Sequence, residues 1–185
     1  APPYTPGGPK MIVAGGPGRA LRAAAQLADG WVTYAPSGTV SAEQYADQIR
    51  EFDEMALAAG RDPSQMVKLV AFCVLLADTE KELETIVRNP VIQWDVAAVI
   101  PGGEVWKHFG EVNPINENWS YPGDLLPLEW SREDTLKICN KVSPEMVRHL
   151  RMSGTPEQVA DMIQPFIEAG CNHVMLGDYA GLVTT

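Results

Sequence analysis

Residues 11–34 read MIVAGGPGRALRAAAQLADGWVTY, which places glycines at 15, 16 and 18 between an apolar run and an alanine-rich helical pattern. Gly15, Gly16 and Gly18 let a backbone approach a ligand closely, and a helix beginning just after them presents N–H groups that have no partner within the helix. Those groups carry partial positive charge, which suits a phosphate. The same glycines also fit a tight connection that needs positive φ, so at this point two readings of the turn stand side by side. It is not a dinucleotide fingerprint: GGPGRA lacks the GxGxxG spacing, and no acidic residue ends a second strand about 20 residues on.

The other reactive side chains are scattered. His149 lies between Arg148 and Arg151 just before SGTP, a basic cluster that either recognises an anion or lies on a solvated helix face. His108 falls in a tryptophan-rich stretch and His173 near the end of the chain, settings in which a lone histidine is structural. No grouping has metal-ligand spacing, and no Ser-His-Asp set is suggested, so no metal is expected and the catalytic residues stay unassigned. Cys73, Cys139 and Cys171 show no CxxC spacing and sit in apolar or mixed surroundings, the pattern of reduced, buried thiols in a cytoplasmic protein.

Strands alternating with helices must position these groups. Met11–Ala14 reads as a strand, followed by a helix with Arg19, Arg22 and Gln26 on its polar side, and Asp29-Gly30 is expected to close it with a left-handed cap. Trp31–Tyr34 is a second strand. Ser41-x-x-Gln44 opens a helix with the apolar stripe Tyr45, Ile49, Phe52 and Ala56, and Gly60 ends it. Val67–Ala77 is nearly all apolar, the mark of a strand covered on both faces. Thr79 caps the next helix. Thr155-Pro156-Glu157-Gln158 caps a late one, with Val159, Met162, Ile163 and Phe166 as its buried face and Pro165 implying a kink or an early end. Asn172–Gly177 is the fourth strand. Four strands alternating with helices argue for a parallel α/β architecture in one domain spanning 1–185. The segment from about 90 to 141 interrupts the alternation as an insertion holding Trp94, Trp106, Trp119 and Trp130, either a lid or pocket wall or a helical packing element.

With 185 residues, 45% of them hydrophobic and 21% charged, the chain is long enough to bury a sizeable core. Its net charge of −10 repels phosphate backbones and anionic lipid, so nucleic acid and membrane surfaces are not expected partners. The longest strongly apolar run, Leu69–Ala77, is far shorter than the roughly 20 residues that cross a bilayer. Ala1–Lys10 lacks the basic-then-apolar order of a signal peptide.

Taken with its context, PKMIVAGGPGRALRAAAQLADGWVTY resembles a segment of the luciferase-like monooxygenase superfamily: a strand, a Gly-Pro turn, a small-residue helix and then ADGW. SGTPEQVADMIQPFIEAGCNHVMLGD is similar to the superfamily's closing segment. WDVAAVIPGGEVWKHFGEVNPINENW looks most like the branch that uses the deazaflavin coenzyme F420, which includes ketoreductases and relatives of the glucose-6-phosphate dehydrogenase. The resemblance implies a parallel (β/α) half-barrel, the C-terminal half of a TIM (β/α)8 barrel, with the first four strands absent. A half-barrel has open strand edges and an uncovered face, so the chain is expected to be a fragment that pairs with the missing N-terminal half or self-associates as a homo-oligomer.

By the same resemblance, Ala14, Gly15, Gly16 and Gly18 contact the phosphate end of the cofactor, and Thr33, Tyr34, His149 and Asp178 lie on the substrate side. Ser37 and Gly38 fall where sugar-phosphate dehydrogenase relatives carry a lysine loop; the absence of lysine here argues against a sugar phosphate. The implied activity is hydride transfer between coenzyme F420 and a small-molecule carbonyl or alcohol of some apolar bulk. An FMN-dependent monooxygenase is the alternative cofactor reading, and a non-catalytic half that only binds or assembles is the alternative of another class.

Overall fold

The computed structural model describes residues 8–34, 41–125 and 129–184. Ser37 and Gly38 therefore lie outside the described residues. Among the described residues, five strands and nine α-helices follow one another in the order β1 (Ile12–Ala14), α1 (Arg19–Leu27), β2 (Gly30–Tyr34), α2 (Ala42–Ala58), β3 (Val67–Leu76), α3 (Glu80–Val87), α4 (Pro90–Val99), α5 (Glu104–His108), α6 (Tyr121–Asp124), α7 (Arg132–Cys139), α8 (Pro144–Leu150), β4 (Met152–Gly154), α9 (Pro156–Glu168) and β5 (His173–Asp178). The strands form one sheet in the order β1-β2-β3-β4, with β5 also paired to β3. The pairs β1–β2, β2–β3 and β3–β4 are parallel, which sets Ala14 beside Val32, Tyr34 beside Ala71 and Leu76 beside Gly154.

The described residues pack as two compact units. One comprises residues 8–34, 41–72 and 163–175; the other comprises 73–125, 129–162 and 176–184. In the first, the stripe read from the sequence is buried as expected: Tyr45, Ile49, Phe52 and Ala56 of α2 are buried, and Leu21, Ala24 and Ala25 form the inner face of α1. Trp31 is fully buried and stacks on Tyr45 at 6.1 Å and on Phe52 at 6.4 Å, while Phe166 meets Tyr45 at 5.9 Å and Phe72 edge-on at 5.2 Å. Offset and edge-to-face contacts of this kind add to the large apolar area each ring removes from water.

In the second unit, Leu75, Leu83, Ile86, Ile92, Trp106 and Leu150 are among the residues of one continuous core. The insertion is helical. Its helix α4 ends with carbonyls that buried side chains satisfy: Asn113 Nδ2 donates to Ala97 O at 2.9 Å and to Ile100 O at 3.1 Å, and Trp119 Nε1 donates to Ala98 O at 2.7 Å. Gln93 Nε2 donates to Val142 O at 2.8 Å. Trp94 and Trp119 each meet Trp130 edge-on. Buried polar groups that are paired in this way stabilise the fold rather than tax it.

The capping residues read from the sequence act as expected. Ser41 and Gln44 form a reciprocal capping box, Thr79 Oγ1 accepts from Glu82 N, and Thr155 and Gln158 bond each other's backbone N–H. Gly60 and Gly170 follow helices α2 and α9 with positive φ.

Four expectations are corrected. The sheet has a fifth strand, Met152–Gly154, whose three residues carry no β-forming apolar run and which exists because it pairs with Val74–Leu76. Gly30 is no left-handed cap: it lies in β2 without positive φ, and a Cβ there would overlap the Val67 backbone. Of the two outcomes expected at Pro165, the early end does not occur: helix α9 runs on to Glu168, since a proline removes one backbone bond while the Phe166 face stays buried. Met162 is 45% exposed, because the stripe through Val159, Ile163 and Phe166 is narrower than the one read from the sequence.

Candidate functional site

The first unit presents the glycine turn at the C-terminal end of β1. Ala14, the last residue of that strand, is exposed. Gly15 continues the ladder by donating its N–H to Val32 O at 3.1 Å, while its carbonyl accepts from the Trp31 indole Nε1 at 2.8 Å. Both backbone groups of Gly15 are thus committed. Its φ of +143° and the 2.7 Å between a built Cβ and the Ala20 Cβ make glycine obligatory there. Gly18 is the N-cap of α1 with φ +85°, a second obligatory glycine. Gly16 differs. It is exposed, its φ lies outside the left-handed region, and a Cβ on it would meet nothing within 4 Å.

Helix α1 begins without any side-chain cap and without an acidic residue in its first turn. The N–H groups of Arg19, Ala20 and Leu21 belong to the first turn, where an α-helix supplies no internal acceptor. By contrast, α2, α3, α4, α7 and α8 each receive a side-chain cap from Ser41, Thr79, Asn89, Ser131 and Ser143. The donors of α1, the partial positive charge of its N-terminus and the open space above Gly16 together make a cradle for an anionic oxygen group.

Thr33 and Tyr34 lie one and two residues beyond Val32, the partner of Ala14, at the same end of the strands as the turn. Thr33 is buried and Tyr34 is 58% exposed. At the other end of β2 and β3, Asp29, Arg61, Asp62, Gln65 and Met66 line an open hollow of about 280 Å³. Arg61 there donates to the carbonyls of Ala24 and Ala25, tying down the last turn of α1.

The remaining expected residues belong to the second unit. Asp178 ends β5, and its Oδ1 accepts from Leu76 N at 3.3 Å and from Ala180 N at 3.0 Å, so the carboxylate holds the strand end and the following turn. His149 lies in the last turn of α8, at the N-terminal end of β4, with its exposed ring stacked on Phe109 at 4.6 Å. The Arg148–His149–Arg151 cluster does not act as one patch: Arg148 pairs with Glu80 and Glu84, and Arg151 turns inward to Asp95. Among the described residues no group of His, Cys, Asp and Glu could hold a metal ion. No helix among them is long and apolar enough to cross a membrane.

Sequence reasoning missed the most buried ion pair. Arg151 is 2% exposed; its Nε and Nη2 donate to Asp95 Oδ2 at 3.0 and 2.6 Å, and its Nη1 donates to Leu150 O at 2.9 Å. The guanidinium lies over the ring of Tyr179, 5.7 Å from its centroid. Burial, with the Cys73 thiol and the Asp95 carboxylate adding to it, pushes the Tyr179 phenol up to about 12, against the opposing pull of Arg151. No local signal links residue 95 to 151, because a lone aspartate in an apolar helix pattern reads as solvent-facing.

The chain is similar to known proteins over most of its length. The sequence model for the luciferase-like monooxygenases matches residues 1–173. Phthiodiolone/phenolphthiodiolone dimycocerosates ketoreductase from Mycobacterium tuberculosis is 26% identical over 175 residues, which is 95% of this chain and 45% of the relative. The chain thus spans about half the length of the curated relatives it matches. An F420-dependent secondary alcohol dehydrogenase in complex with an F420–acetone adduct has a similar fold, with TM-score 0.54 and 20% identity, over 91% of this chain and 43% of that one. A type II Baeyer–Villiger monooxygenase from Pseudomonas putida in complex with FMN gives TM-score 0.55 and 21% identity, over 92% and 42%. The fold class is accordingly the parallel α/β half-barrel of these enzymes. The chain belongs to the luciferase-like monooxygenase family.

Proposed function

We propose that the protein carrying this chain is an F420-dependent oxidoreductase that transfers hydride between the deazaflavin and a carbonyl or alcohol substrate. The observation that carries the reading is the uncapped N-terminus of α1 behind Gly16, a cradle that fits the phosphate of such a cofactor. The backbone of Ala14, Gly15, Gly16 and Gly18 would hold that phosphate, with Gly15 and Gly18 shaping the turn and Gly16 leaving room. When bound, the deazaflavin supplies the redox chemistry. The chain's own residues bind, orient and exclude water: Thr33 lines the strand end from its buried position and Tyr34 offers an exposed ring to an apolar substrate. In the second unit, Asp178 shapes the end of β5. His149 carries none of this reading, since it stands at the other end of its neighbouring strand.

Similarity to a ketoreductase supports a carbonyl substrate, and similarity to an F420-bound alcohol dehydrogenase supports the cofactor. The FMN-bound relative in fold supports the second reading, an FMN-dependent monooxygenase. We place the protein in the cytoplasm. Exposed apolar side chains on β1 and β5, among them Ile12, Val174, Met175 and Leu176, support its pairing with a further barrel half or with its own copies.

Titration of the full-length protein with F420 and with FMN tests the assignment. The lower dissociation constant is expected for F420, with turnover that persists without oxygen. Tight FMN binding with strictly oxygen-dependent turnover would replace it with the monooxygenase reading. Binding of neither cofactor would leave the non-catalytic one.

A further inference from the structure

We infer that Arg61 is a positioning residue for the cofactor phosphate: by clamping the far end of α1, its guanidinium sets the direction in which the first N–H groups of that helix point. The inference rests on the phosphate reading of the glycine turn above. Arg61, the turn and α1 all belong to the first unit. The sequence of α1, RALRAAAQL, gives the helix little with which to fix its own direction. Two of its three buried residues, Ala24 and Ala25, are alanines, whose methyl groups form only low ridges against the neighbouring elements.

The end of α1 also lacks a stop of its own. No basic residue lies in its last turn, and the capping residue Ala28 is extended where many helices place a left-handed glycine. The last carbonyls of a helix find no donor within it. Arg61, in the loop after α2, supplies one: its Nη1 donates to Ala25 O at 3.0 Å and, at a longer 3.4 Å, to Ala24 O. A bond from a cation is stronger than a neutral one, and positive charge suits this negative end of the helix. Arg61 is itself held, since its N–H donates to Ala56 O at 2.9 Å in the turn that Gly60 makes with φ +73°. Asp29 and Asp62 line the same hollow, but Asp29 Oδ2 accepts from Met11 N at 2.8 Å and Asp62 Oδ1 from Ser64 N at 2.9 Å. Among the described residues Arg61 forms an ion pair with neither, so its charge is directed at the end of α1.

Leverage carries the clamp to the cradle. With nine residues, α1 is about 13 Å long. At its near end the Trp31 indole holds the Gly15 carbonyl, which fixes the turn but leaves the helix axis free to pivot. The N–H groups of Arg19, Ala20 and Leu21 point along that axis. A tilt of about 5° moves one end of such a helix by about 1 Å. A hydrogen bond of about 2.9 Å that lengthens by about 1 Å is lost. Arg61 therefore acts on the phosphate donors although its own bonds are to the opposite end of α1.

The test uses the full-length protein with Arg61→Met, which keeps the apolar stem and removes the clamp, and Arg61→Lys, which keeps the charge but reaches one carbonyl. Each is titrated with F420 and with the same deazaflavin lacking the phosphate, and the backbone amide resonances of Arg19, Ala20 and Leu21 are recorded without cofactor. Arg61→Met should weaken F420 about tenfold and the phosphate-free form less than about twofold, with Arg61→Lys about threefold weaker for F420. The three amide resonances should move in both variants. Should Arg61→Met fail to fold, Arg61→Lys must show the same discrimination at its smaller size. Equal losses for the two ligands, an unchanged F420 affinity, or amide resonances that stay in place overturn the inference, because a merely stabilising role moves neither the discrimination nor the amides. A parent protein that binds both ligands equally refutes the phosphate reading instead, and the amide resonances still judge whether Arg61 directs α1.

Discussion

The indole Nε1 of Trp31 donates to the carbonyl oxygen of Gly15 across 2.8 Å, so the aromatic residue of ADGW holds the glycine turn that precedes it by a whole helix. Trp31→Phe keeps an aromatic surface for Tyr45 and Phe52 but strands that carbonyl. A loss of about 1–3 kcal/mol in urea unfolding is expected, the cost of an unsatisfied acceptor, together with weaker cofactor binding in titration.

Gly16 and Gly18 should separate cleanly. Gly18→Ala forces a side chain into φ +85° and is expected to cost about 1–2 kcal/mol of stability. Gly16→Val enters open space, so its melting curve should match the parent's. If the turn receives a phosphate, Gly16→Val weakens the cofactor by at least about 1.4 kcal/mol, tenfold in affinity, and weakens an analogue lacking the phosphate less. Equal losses for both ligands would make Gly16 a structural residue.

Asp95→Ala leaves Arg151 buried without a counter-charge. Denaturant unfolding should show a loss of about 3–5 kcal/mol. The double variant Asp95→Ala, Arg151→Met should recover part of that loss, since it removes the stranded charge as well.

The phenol of Tyr45 is buried and has no hydrogen-bond partner among the described residues, and burial raises its pKa above the ordinary 10.0. The unfolded chain therefore loses this proton first as pH rises. Full stability is present below pH 10 and declines above it, by about 1.4 kcal/mol per pH unit for each such tyrosine. Tyr179 adds a similar decline that ends near pH 12. Melts at increasing alkalinity should show a shallower decline for Tyr45→Phe. At neutral pH the same variant should be at least as stable as the parent, because it removes an unpaired hydroxyl.

What the sequence made legible was periodic or stereochemical. The stripe Tyr45, Ile49, Phe52, Ala56, the caps at Ser41 and Thr79, and the long apolar strand β3 each rest on neighbours a few residues apart. Strand β4 and the Asp95–Arg151 pair depend on partners 56 or more residues away, and no local pattern announces them. Within the turn, the sequence marked three glycines alike. Only their dihedrals and surroundings distinguish the two that the backbone requires from Gly16, which it does not.

Asn172 and Asp178 flank the exposed residues of β5. Asn172 Oδ1 accepts from Lys68 N at 2.8 Å while its Nδ2 donates to Met66 O, and Asp178 Oδ1 accepts from Leu76 N. With Val174, Met175 and Leu176 all open to solvent, burial gives β5 no preferred alignment on β3. The two polar side chains act as end-stops: a slip by one residue would unmake both sets of bonds at once. The strand's alignment is thus encoded at its tips and is already set before any further surface covers its middle.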